Sequence, residues 1–206
     1  MSDSLEQTAI ATDHLKQWTF LGSEAGEVTS KTSFDGPADR NYALKNKQVR
    51  KFLQHEKMGP GVINLGWTDD AEPATAKRVT RWFIARKNAT GGPVRYGEAV
   101  ALGYGITPSF ICNAHRTVGV DLEWSKSPVF EWKVLGGNLG SEVQTGDWVA
   151  LYNDRAKECL LFFDRTVGGD IGWPSSKTWG AQLEDRVREA VKNHANNAYD
   201  KLLGRK

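Results

Sequence analysis

Residues 143–153 read Val-Gln-Thr-Gly-Asp-Trp-Val-Ala-Leu-Tyr-Asn, a glycine turn followed by a short segment of strand-forming residues. Residues 94–102, Val-Arg-Tyr-Gly-Glu-Ala-Val-Ala-Leu, share its pattern Val-x-x-Gly-acid-x-Val-x-Leu. Residues 42–46, Tyr-Ala-Leu-Lys-Asn, match only the end of the pattern. Three related stretches in one chain predict internal repeats, with the first copy reduced by an insertion.

Tryptophans frame each copy of this pattern. An opening tryptophan lies in an apolar segment before each copy, and these residues are Trp18, Trp82 and Trp132. A late tryptophan follows 22 or 23 positions after the shared leucine, and the leucine–tryptophan pairs are Leu44 and Trp67, Leu102 and Trp124, and Leu151 and Trp173. An apolar pair lies between leucine and tryptophan each time, at 52–53, 110–111 and 160–161. Each repeat is therefore predicted to form four short strands.

Three four-stranded units can bury their apolar faces and sheet edges against one another. This pattern, over roughly residues 14–179, resembles the β-trefoil superfamily, as in ricin-B-type lectins, fascins and MIR domains. The resemblance implies an all-β fold, a β-trefoil of three four-stranded repeats. Ricin-B-type lectins end each repeat with Gln-x-Trp, whereas Gln17, Arg81 and Glu131 directly precede the opening tryptophans here. The sugar-binding residues of that family are therefore not transferred to this chain.

Two segments lie outside the predicted 14–179 trefoil domain. Residues 1–13 are polar, and we expect a flexible N-terminal arm. Residues 180–206 are predicted to form a C-terminal amphipathic helix, because apolar residues recur at helical spacing. These residues are Leu183, Val187, Val191, Ala195, Ala198 and Leu202. The helix either packs against the barrel or mediates contact with a partner, including a homodimer.

Composition narrows the function classes. The 27 basic and 25 acidic residues give a net charge of +2, which offers no whole-chain attraction to nucleic acid. No apolar run reaches the ~20 residues of a membrane helix, and no signal peptide is visible, so we expect a cytoplasmic protein with no membrane span. Release by a route without a signal peptide stays open. Cys112 and Cys159 are expected to be buried free thiols, although one disulfide stays open.

Motifs of catalysis are absent from the sequence. It has no nucleophile elbow, phosphate-binding loop or zinc-protease motif, so we expect no enzyme, no cofactor and no metal. A spatial triad that uses Cys112 or Ser141 stays open. His55 lies two residues after an apolar pair, as Asn113 does in the second repeat, which favours a structural role for this histidine.

A local basic cluster comprises Lys45, Lys47, Arg50, Lys51 and Lys57. With the interleaved Phe52 it could hold phosphates, but solvated lysines also protect sheet edges from aggregation. With the net charge near zero, no nucleic-acid partner is expected.

One constellation suggests a ligand. An Asp or Asn stands three positions before each late tryptophan, and the pairs are Asn64 and Trp67, Asp121 and Trp124, and Asp170 and Trp173. An indole can cover the apolar face of a sugar while the carboxylate or amide bonds its hydroxyls. Alternatively, the aspartates hold turns and the tryptophans fill the core. The leading hypothesis is a non-enzymatic, carbohydrate-binding, lectin-like module for a glycan or glycoprotein; the alternative is a protein-binding trefoil that acts as a cytoskeletal, inhibitory or toxin-associated module.

Overall fold

The computed structural model describes residues 16–22, 25–31, 40–56, 63–68, 81–87, 91–105, 109–116, 120–162 and 170–175. Thirteen short strands run through these residues, and all their pairings are antiparallel. The all-β prediction is therefore confirmed. Contacts divide the chain after Trp173 into residues 1–173 and 174–206. The predicted arm at 1–13 and helix at 180–206 lie outside the described residues.

The strands follow the predicted order of short apolar segments. The first eight are β1 (Gln17–Leu21), β2 (Ala43–Asn46), β3 (Phe52–Gln54), β4 (Gly66–Thr68), β5 (Trp82–Arg86), β6 (Ala99–Tyr104), β7 (Ser109–Asn113) and β8 (Leu122–Ser125). The others are β9 (Trp132–Leu135), β10 (Val149–Asn153), β11 (Glu158–Cys159), β12 (Leu161–Phe162) and β13 (Ile171–Gly172). The third repeat has five strands instead of four because its third apolar segment is interrupted at Leu160.

One sheet joins most of these strands. Its pairing order is β4-β3-β2-β1-β10-β9-β6-β7-β8, with β5 added to β6 and β11 added to β10. Strands β12 and β13 form a separate pair. The first repeat is thus paired with the third through β1 and β10, and the third with the second through β9 and β6.

Period-2 alternation places the core side chains. Along β1, Trp18 and Phe20 are buried in the main hydrophobic cluster, which also contains the late Trp173. The three opening tryptophans are the largest fully buried side chains among the described residues. Burial of a large apolar side chain contributes roughly 1.5–3 kcal/mol, so these rings are major contributors to stability.

The opening tryptophans make the same contacts three times. Each one pairs with the residue two positions before the shared leucine of another repeat, namely Trp18 with Val149, Trp82 with Tyr42, and Trp132 with Val100. Each indole N–H also donates to a carbonyl in an apolar pair, from Trp18 to Leu160 at 2.9 Å, from Trp82 to Leu53 at 2.7 Å and from Trp132 to Ile111 at 2.8 Å. The tryptophan of each repeat is therefore anchored in a neighbouring repeat.

Three valines close a ring of backbone hydrogen bonds. The amide of Val28 donates to the carbonyl of Val143 at 2.8 Å. In the same way the amide of Val143 donates to the carbonyl of Val94 at 2.9 Å, and the amide of Val94 donates to the carbonyl of Val28 at 2.7 Å. Val94 and Val143 begin the signature pattern of the second and third repeats. The expectation that only residues 42–46 survive in the first repeat is therefore wrong. Val28 is the missing start, separated from Tyr42 by the insertion.

Both cysteines are free and buried, as the sequence predicted. Within the part of the chain that the structure describes, no helix is long and apolar enough to cross a membrane.

Candidate functional site

The late tryptophans stack on the opening ones. Ring centroids lie 5.9 Å apart for Trp18 and Trp67, 6.2 Å for Trp82 and Trp124, and 5.8 Å for Trp132 and Trp173. In each pair the planes lie within about 30° of parallel. One face of every late ring is thus covered by its own repeat.

Other aromatic side chains cover two of the late rings further. The edge of Phe162 meets Trp67 at 5.5 Å, and His55 lies 5.6 Å from Trp124. Trp173 is only 2% exposed, and the indole nitrogens of all three late tryptophans are buried. These rings pack in or against the core. This arrangement matches the alternative in which the late tryptophans fill the core.

The acidic and amide partners of the late tryptophans lie at turns. The Asp121 carboxylate accepts a hydrogen bond from the Arg116 amide at 2.8 Å. The backbone carbonyl of Asp121 accepts one from the Ala114 amide at 3.1 Å. The Asn64 carbonyl accepts from the Glu56 amide at 3.3 Å. Asn64, Asp121 and Asp170 are all half-buried. At Asp121 the carboxylate therefore braces a turn, and the sugar site at these three pairs stays a prediction.

Trp148 is different, because it is 39% exposed while the other described tryptophans are buried or half-buried. It follows the Gly146-Asp147 turn and enters β10. The Asp147 carboxylate accepts from the Gln144 amide at 3.0 Å and from the Tyr96 hydroxyl at 2.8 Å. Burial, with this bond and the Asp147 charge, raises the pKa of Tyr96, so the phenol stays protonated as a donor. The turn that presents Trp148 is thereby fixed.

Lysine ammonium groups lie over two of the rings on this outward face. The Lys47 ammonium is 5.2 Å from the centroid of Trp148, and the Lys45 ammonium is 5.0 Å from that of Phe52. Lys45 pairs with Thr19 of β1, and continuation of the β1–β10 register by one residue places Trp148 on the other side of Thr19. Strands β2, β1 and β10 therefore carry a row of lysine, threonine and indole.

Two polar atoms on the outward side of β1 lack a hydrogen-bond partner among the described residues. They are the Gln17 Oε1 and the Thr19 Oγ1, and both side chains are more than nine-tenths buried. Gln17 and Thr19 alternate with the inward-facing Trp18 and so lie on the outward side of β1. A buried acceptor without a partner costs about 1–3 kcal/mol, and because both oxygens are covered by protein, a ligand on the surface does not reach them.

The environments of Cys112 and Ser141, the two candidate nucleophiles, do not favour nucleophilic catalysis. Burial, with the charges of Glu131 and Glu123, raises the pKa of the Cys112 thiol to about 11, which disfavours the nucleophilic thiolate. The Ser141 hydroxyl donates to the Asn138 carbonyl at 2.7 Å. In the described ranges no group of three or more His, Cys, Asp and Glu residues could hold a metal ion.

Sequence reasoning missed Trp148 because it focused on tryptophans that recur. The second repeat has Ala99 at the equivalent position, so Trp148 matched no repeat. A signal was nevertheless present. In the stretch 147–153 the inward positions are Val149 and Leu151, so an indole at 148 must face outward.

No family model, curated protein or solved structure matches this chain.

Proposed function

We propose that this chain is a non-enzymatic binding module built as a β-trefoil. Three features support the trefoil: the threefold tryptophan pairing, the equivalent indole hydrogen bonds and the closed ring of valine amides. Each relates the three repeats cyclically, as expected of units that cannot bury their apolar faces alone.

The ligand that we propose is a carbohydrate, with Trp148 as the platform for a sugar ring. The exposure of this indole carries the proposal. The ring is held on a strand, so binding requires little reorganisation. The Lys47 ammonium, 5.2 Å from the ring centroid, supplies donors to sugar hydroxyl oxygens.

The pairs at the late tryptophans remain a second set of candidate sugar sites. Asp121 with Trp124 and Asp170 with Trp173 offer a carboxylate beside a ring, whereas the first repeat offers Asn64 with Trp67. Trp148 is the stronger platform because its ring is exposed, whereas each late ring lies against an opening tryptophan.

A protein partner is the alternative function, and Leu139 favours it. This side chain is 62% exposed in the turn between β9 and β10. Exposed apolar residues of this kind can act as anchors in protein interfaces.

A glycan array with wild type and matched variants tests the proposal. Trp148→Ala is expected to weaken glycan binding by about tenfold or more, since an apolar ring of this size contributes about 1.5–3 kcal/mol when covered. Trp148→Phe should retain part of the affinity. Leu139→Ala is the matched control, because it also removes an exposed apolar side chain, and thermal unfolding reports whether each variant is folded.

The late-tryptophan sites are tested on the same array. If Asp121→Ala and Asp170→Ala weaken binding while Trp148→Ala does not, the sugar site lies at the late tryptophans instead. If no glycan binds, or if only Leu139→Ala affects a partner, the carbohydrate proposal fails and the protein-binding alternative is favoured.

A further inference from the structure

We infer that the hairpin of β2 and β3, together with Trp148, binds an acidic polysaccharide whose sulfate or carboxylate groups meet the lysines. The inference rests on the proposed function, because the sugar ring is taken to lie on Trp148. It adds the chemical class of that ligand.

Charge is the first argument. Residues 43–54 carry four basic residues and no acidic one, and these are Lys45, Lys47, Arg50 and Lys51. The equivalent residues 150–161 of the third repeat carry two bases, Arg155 and Lys157, and two acids, Asp154 and Glu158. The net charge of +2 for the whole chain therefore conceals a run of four bases in one hairpin. Lys45 and Lys51 make contacts within the protein, so Lys47 and Arg50 are the two bases that we take to meet an anion at short range.

Geometry is the second argument. The Lys47 ammonium lies 5.2 Å from the Trp148 ring centroid, within reach of an acidic substituent on a sugar stacked there. Lys45 is on the neighbouring strand and pairs directly with Thr19. An ammonium donates charge-assisted hydrogen bonds to sulfate or carboxylate, which are roughly twice as strong as neutral ones.

A nucleic-acid ligand is disfavoured by the aromatic content of this face. Single-stranded nucleic acid is held by several aromatic rings on which successive bases stack. Among the described residues, Trp148 is the one aromatic side chain that combines clear exposure with large apolar area. One ring suits one sugar, with charge contacts to its neighbours along a polymer.

The two hairpins supply a matched control. Arg50 and Lys157 occupy the same turn position, and both have left-handed backbone, with φ of 59° and 58°. Both side chains are exposed. Arg50→Gln and Lys157→Gln therefore make the same change in charge on the same backbone, at the proposed site and away from it.

The experiment measures binding of the full chain to three immobilised probes: a heparin oligosaccharide, the same oligosaccharide desulfated, and a single-stranded DNA oligonucleotide. Wild type is expected to bind the sulfated probe about tenfold more tightly than the desulfated one, and to lose this preference as salt rises. Lys47→Gln and Arg50→Gln should each weaken the sulfated complex severalfold and flatten its salt dependence. Lys157→Gln should change neither, and thermal unfolding should show all variants folded.

The outcomes separate this inference from the function on which it rests. Equal binding of sulfated and desulfated probes, lost in Trp148→Ala, overturns the inference and leaves carbohydrate binding standing. An equal effect of Arg50→Gln and Lys157→Gln overturns it too. DNA bound as tightly as heparin, through the same residues, replaces the polysaccharide with a general polyanion. Absence of binding to every saccharide overturns both proposals.

Discussion

The hairpins of the first and third repeats have the same backbone and different surfaces. In each, a fully buried asparagine ends the second strand, and its side-chain oxygen accepts the amides two and three residues later. These asparagines are Asn46 and Asn153. A left-handed residue follows four positions later in both, at Arg50 and Lys157. The buried groups set the turn, so the exposed positions are free to differ in charge.

The second repeat reaches the same point with other residues. Tyr104 replaces the asparagine, meets Trp82 edge to face at 5.2 Å and stacks on His55 at 6.0 Å. Gly105 follows with φ of 93°, and its amide N–H donates to the Arg81 backbone carbonyl at 3.0 Å. The equivalent backbone bonds run from the Lys47 amide to the Gln17 carbonyl and from the Asp154 amide to the Glu131 carbonyl. The shared element is this backbone bond, and the side chain at the strand end varies.

The largest expected effect tests whether the repeats are equivalent. Leu44, Leu102 and Leu151 are fully buried, and each pairs with the residue two positions after an opening tryptophan. Truncation of any one to Ala should lower the free energy of unfolding by about 2–5 kcal/mol, because it leaves a cavity in a packed core. Chemical denaturation measures this loss. Three losses below about 0.5 kcal/mol would contradict the equivalence of these positions.

A smaller effect is expected at the two buried asparagines. Asn46→Ala and Asn153→Ala each remove an acceptor for two amides, and each should cost about 1–3 kcal/mol. The Asn153 Nδ2 also donates to Glu131 Oε1 at 2.9 Å, and Glu131 is itself buried and accepts from the Asn113 amide. Denaturant midpoints of the two variants measure the losses; a loss below about 0.5 kcal/mol for either variant would contradict the role of its asparagine in the turn.

Sequence reasoning predicted the repeat positions that face the core. The opening tryptophans, the shared leucines and the apolar pairs recur at nearly constant spacing, because each has to fill the same place in a core. Val28 was missed for a local reason. It is separated from Tyr42 by 14 positions, whereas Val94 and Val143 lie 6 residues before Val100 and Val149. The insertion hid a residue whose backbone, rather than its spacing, marks it as equivalent.

The candidate site was harder to predict than the fold. Spacing places Trp67, Trp124 and Trp173 at equivalent positions, but it does not say that each ring stacks on the opening tryptophan of its own repeat. A surface position, unlike a core position, does not have to recur in every repeat. Trp148 and Lys47 meet through pairing of the first strand with the tenth, which is a long-range contact that local patterns do not contain.

The smallest expected effect concerns backbone strain at the two turns. A left-handed conformation costs a residue with a Cβ roughly 1–2 kcal/mol, whereas glycine adopts it freely but loses more entropy on folding. Arg50→Gly and Lys157→Gly should therefore each raise the free energy of unfolding by less than about 1 kcal/mol, and by similar amounts. Valine at either position should be destabilising, which provides the control. Thermal unfolding of the four variants measures these shifts. A loss of stability with glycine at one turn alone would show that the two turn backbones differ more than their equivalent hydrogen bonds indicate. Binding of the heparin probe then separates strain from charge, since only Arg50→Gly should weaken it.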